Sequence, residues 1–87
     1  MTKSMPHTLT CGPGAATLRS PSGEVLRCFV WRMDGGHVEE IVGEGDRARR
    51  TSVLTGHGGA TLGYVKDHQQ AAADLLRYVC PAGTVLA

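Results

Sequence analysis

The sequence predicts an α+β domain: a meander of four to five short antiparallel strands closed by one amphipathic helix near the C-terminus. Three observations carry that prediction. Turn signals rich in glycine and proline recur between short runs of threonine, valine and leucine. Only one segment, near the end, repeats apolar residues at helical spacing. At 87 residues the chain supports one apolar interior and no second core.

Residues 1–6 read as a flexible tail ahead of a single domain over 7–87. His7 to Cys11 is a short threonine-rich strand, expected at an edge and ended by Gly12-Pro13-Gly14. Ala15 to Ser20, Pro21-Ser22-Gly23 and Glu24 to Met33 read as a hairpin. Proline pre-sets φ at the first turn position, and glycine supplies positive φ at the last. Asp34-Gly35-Gly36 marks a second hairpin leading into His37 to Gly43, with a register that the turn alone leaves open. Glu44 to Arg50 (EGDRARR) is expected to be a solvated loop. Thr51 to Thr55 and Ala60 to Val65 follow as strands around Gly56-His57-Gly58-Gly59. The helix begins at an Asp67 N-cap with Gln70 in the capping-box position. It turns Ala72, Leu75, Leu76 and Val79 inward, pairs Asp74 with Arg77 outside, and stops at Cys80-Pro81. Thr84 to Leu86 either adds an edge strand or trails free.

A three-residue loop at 21–23 sets Ser20 opposite Glu24, Leu18 opposite Leu26 and Ala16 opposite Cys28. The core face is then Ala16, Leu18, Leu26, Cys28 and Val30. The other face presents Thr17, Arg19, Val25, Arg27, Phe29, Trp31 and Met33. The alternative puts the helix over Phe29 and Trp31, because large rings are usually buried, and leaves Leu26 and Cys28 on the thinner side. In either arrangement this strand is apolar on both faces, so something covers each of them, and one cover is expected from a partner chain.

Net charge is +1, which gives no whole-molecule field for nucleic acid or an anionic membrane. No apolar run is long enough to cross a bilayer and the N-terminus shows no secretory h-region. Together with three unpaired-looking cysteines, Cys11, Cys28 and Cys80, this points to a cytoplasmic protein. No metal is expected, since His7, His37, His57, His68 and the cysteines form no close ligand pair. The TGHGGATLG stretch lacks the lysine and spacing of a phosphate loop. Cys28 and Cys80 lack an activating base, and Glu39 and Glu40 point to opposite faces of a strand. Neither catalysis nor a cofactor is expected.

The segment Thr61 to Val79 (TLGYVKDHQQAAADLLRYV) is similar in rhythm to the last strand and helix of two DNA-binding families, the integrase N-terminal arms and the plant ethylene-response factors. The denser basic and aromatic strands of those families have no match here, and no membership follows.

The function expected is a non-enzymatic protein-binding module, an inhibitor or adaptor, acting through an exposed sheet face or edge and forming a homodimer or covering a larger protein. Chains of this size without a catalytic constellation are often regulators, including those of phages and mobile elements. The expected contact residues are Arg19, Arg27, Phe29, Trp31 and Arg32, with Arg47, Arg49 and Arg50 on the rim. The alternatives are nucleic-acid binding by the same residues, with Trp31 stacking on bases, and a small enzyme using Gly56 to Gly59.

Overall fold

A computed structural model describes residues 5–32, 38–54 and 68–87. The described chain forms β1 (Thr8–Gly12), β2 (Ala15–Arg19), β3 (Val25–Trp31), β4 (Val38–Val42), β5 (Arg49–Leu54), α1 (His68–Tyr78) and β6 (Val85–Leu86). They build one six-stranded sheet in the order β5-β4-β3-β2-β1-β6. Successive strands from β1 to β5 pair antiparallel, as a meander requires, whereas β6 lies parallel to β1. The sheet therefore has more strands than the expected four to five. Thr8–Gly12 is interior, because the C-terminal segment returns beside it: Val85 N–H donates to His7 O at 3.0 Å and Ala87 N–H to Leu9 O at 3.0 Å. A parallel neighbour needs a crossover connection, and α1 lies on that return path.

Proline-then-glycine order makes the β1–β2 turn. Gly14 has φ +74°, and a Cβ there would sit 3.3 Å from Trp31 O. The β2–β3 loop forms as expected, with Ser20 facing Glu24: Ser20 N–H donates to Glu24 O at 2.8 Å, and Glu24 N–H to Ser20 Oγ at 3.1 Å. The expected register fails one step later. Arg19 pairs with Val25 but Leu18 pairs with Arg27, so Leu26 is an extra residue in a β-bulge. Because side chains alternate with a period of two, one inserted residue exchanges the faces of everything after it. Ala16 now lies opposite Phe29 and Thr17 opposite Cys28.

The predicted core face is corrected accordingly. Ala16 and Leu18 are buried, but Leu26 is 46% exposed and Cys28 and Val30 are only half-buried. Phe29 and Trp31 are inside, at 1% and 5% exposure, with Leu9, Val38, Ala71, Ala72 and Leu75. The physical reason is size: turning the two largest rings of the strand inward removes far more apolar surface than turning Cys28 and Val30 inward, at about 1.5–3 kcal/mol for each large side chain. The alternative arrangement foreseen from sequence is the one the chain adopts.

The β3–β4 pairing settles the second register. Trp31 faces Val38 and Phe29 faces Glu40, so Val38 and Glu40 share the helix side of the sheet. The turn at Asp34-Gly35-Gly36, the glycine-rich 56–59 stretch, the expected strand at 60–65 and the Asp67 cap lie outside the described residues. Glu44 to Arg50 is exposed as expected but is only partly loop: Gly45–Arg47 forms a 3-10 turn and β5 already starts at Arg49. Ala71, Ala72 and Leu75 carry the buried stripe of α1, and Leu76 and Val79 are partly buried against the core. The helix ends before Pro81, with Cys80 N–H donating to Leu75 O at 2.8 Å.

Candidate functional site

The eight residues expected on one exposed basic and aromatic surface divide between the core and the surface. Phe29 and Trp31 are core residues, so the exposed docking face built on them is withdrawn. Arg27 follows Phe29 to the helix side. Its Nε donates to Glu40 Oε2 at 2.8 Å and its Nη2 to Glu40 Oε1 at 2.6 Å, a two-pronged ion pair. The guanidinium carbon lies 5.1 Å from the Phe29 ring centroid, and Nη1 reaches Val79 O at 3.5 Å, just past the end of α1. Arg27 thus ties the helix C-terminus to the sheet and lids Phe29. Its charge is therefore already engaged within the chain. The pairing with Glu40 raises the Arg27 pKa and holds the Glu40 carboxyl below its ordinary range.

Arg19 donates from Nη1 to Gly23 O at 3.3 Å and so braces its own turn. Arg32 is exposed at the end of β3, and Arg47 belongs to the 3-10 turn. Arg49 and Arg50 are adjacent on β5 and point to opposite faces of the sheet. Arg50 approaches Glu39 at 3.9 Å with a largely exposed side chain, a contact worth at most about 1 kcal/mol.

A different surface is built by the bulge. The β3–β4 ladder runs from Trp31 opposite Val38 to Cys28 opposite Ile41 and stops. Beyond that point Val25 stays with Arg19 on β2, and Val42 stays with Arg49 on β5, so the two strands diverge. A hollow of about 320 Å³ opens between them, lined by Val25, Leu26, Cys28, Ile41 and Val42, with Arg27 and Glu40 on its wall and Gly43 and Glu44 at its end. Val25, Leu26 and Val42 are 53%, 46% and 54% exposed. The sequence pattern places Leu26 in the core, since nothing local announces a bulge at that step.

A second concavity lies between α1 and the β1–β2 turn. Its volume is about 530 Å³, and Cys11, Pro13, His68, Ala72, Leu76 and Leu86 are among its lining residues. His68 opens the helix, and its Nδ1 accepts from Trp31 Nε1 at 2.9 Å and from Gly14 N–H at 3.2 Å. All three cysteines are unpaired thiols, and burial pushes the pKa of Cys11 and Cys80 upward, away from the thiolate form that nucleophilic chemistry needs. Among the described residues no three His, Cys, Asp or Glu side chains gather as a metal site, and no helix is long and apolar enough to cross a membrane. Compared with known protein families, with characterised proteins and with solved structures, the chain matches none.

Proposed function

We propose that this chain is a non-enzymatic protein-binding module of the inhibitor or adaptor kind. Its contact surface is the hollow between the diverging ends of β3 and β4, lined by both apolar and charged side chains, in place of the aromatic face expected from sequence. The observation that supports this reading is the cluster of Val25, Leu26 and Val42, each about half exposed, around a concavity floored by Cys28 and Ile41. Single exposed apolar residues are ordinary, but several around one depression mark a contact surface. A pocket that accepts an anchor side chain, with the charges of Arg27, Glu40 and Glu44 among its lining residues, has the anatomy of an interface centre and rim. The nucleic-acid alternative loses its stacking residues, because Phe29 and Trp31 are inside.

The test pairs the wild-type chain with a Leu26→Glu/Val42→Glu variant. Light scattering across micromolar concentrations reads self-association, and cross-linked complexes recovered from the host, identified by mass spectrometry, read a foreign partner. The variant should lose the association at least tenfold, and a bound partner should shield Cys28 from maleimide. A monomeric wild type whose recovered complexes are unchanged by the variant removes the reading.

A further inference from the structure

The second concavity differs in chemistry from the first and shares no lining residue with it. Small residues, Gly12 on β1 and Ala72 and Ala73 on α1, leave the space, while Leu76 and Leu86 wall it with carbon. Its volume of about 530 Å³ falls inside the roughly 300–1,000 Å³ range of small-molecule pockets. Such pockets are mostly apolar, with a few placed polar groups that fix orientation. Here the lining carries His68 and the exposed Gln69, and His68 is the one fixed in place by contacts to the core. Two N–H donors, from Trp31 and Gly14, converge on Nδ1, so the neutral ring carries its proton on Nε2. With Nδ1 turned to the core, Nε2–H is directed away from it, on a residue that lines the cleft. The donor is held by two contacts rather than left to rotate, which is the preorganisation that makes one hydrogen bond selective.

We propose that this cleft binds a small apolar molecule, a ring or acyl chain, bearing one oxygen acceptor that takes the His68 Nε2–H hydrogen bond. The carbon body lies against Ala72, Leu76 and Leu86. Cys11 contributes an apolar wall. The site is independent of the protein-binding hollow, so either reading survives failure of the other.

Amide NMR titration with two probes of the same shape tests it: cyclohexyl methyl ketone, which has the acceptor, and ethylcyclohexane, which lacks it. Both should shift the amides of Gly12, Ala72, Ala73, Leu76 and Leu86, and the ketone should bind about 2- to 10-fold tighter. Ala73 is exposed and lines the cleft, so Ala73→Trp should fill it and abolish binding of both probes with the rest of the spectrum unchanged. His68→Phe should equalise the two probes. If that variant fails to fold, the probe pair and Ala73→Trp still decide. Scattered shifts, undiminished binding to Ala73→Trp, or equal affinity of the wild type for ketone and hydrocarbon would each overturn the proposal.

Discussion

Arg27 shows how one residue changes role when its face changes. On an open sheet it is a cation seeking a partner; on the helix side it is held by Glu40, stacked on Phe29 and turned to the end of α1. Removing either member of this half-buried pair should cost about 1–3 kcal/mol, because it leaves the other charge without its hydrogen bonds. A double-mutant cycle of Arg27→Met and Glu40→Gln, read by chemical denaturation, should show clear coupling, with the double variant less destabilised than the sum of the singles. The sign with pH follows from the lowered Glu40 pKa. The pair contributes fully above the ordinary glutamate value of about 4.3 and loses its contribution as pH falls through the lower folded-state value. Glu40→Gln should therefore flatten the acid side of the stability profile. Trp31→Phe keeps most of the buried ring but removes the donor to His68 Nδ1. It should cost about 0.5–1.5 kcal/mol beyond the packing change, and long-range nitrogen–proton NMR of the wild type should show the His68 proton on Nε2.

At the scale of elements, the bulge and the helix answer each other. Inserting Leu26 leaves one residue unpaired in β3, and in exchange the strand presents Arg27, Phe29 and Trp31 to the side that α1 covers. The helix meets that side with Ala71, Ala72 and Leu75 and keeps Asp74 and Arg77 off the core. Asp74 has a raised pKa, chiefly from burial and only partly offset by Arg77, so its charge opposes folding at neutral pH. Its sign is opposite to that of Glu40: as pH falls through the raised folded-state value, protonation relieves the burial cost. Asp74→Asn should raise the thermal midpoint slightly at pH 7 and lose that advantage in acid, in a pair of melts at the two pH values.

At the scale of the molecule, among the described residues α1 covers one face of the six-stranded sheet better than the other. Residues on the face away from α1, Cys28, Val30 and Ile41, are half-buried, and Val25, Leu26 and Val42 at the diverging strand ends are about half exposed. If those residues serve a partner rather than the fold, Leu26→Glu/Val42→Glu should leave the unfolding free energy within about 0.5 kcal/mol of wild type, as for other surface substitutions, while association is lost. A destabilisation of 2 kcal/mol or more, on the order of a core truncation, would instead make them part of the fold's own packing.

Local chemistry in the sequence determined the first two turns and the helix. Proline and glycine placed the turns at 12–14 and 21–23, apolar spacing placed the helix, and Cys80-Pro81 placed its end. These signals act over a few residues, where φ preference and side-chain period decide the outcome. Which face of β3 meets the helix was decided by tertiary structure alone. The bulge at Leu26 leaves no local mark, and it follows from the burial that Phe29 and Trp31 gain against residues far along the chain. The hollow, the Arg27–Glu40 pair and the His68 contacts all descend from that choice, because each joins residues whose meeting depends on register.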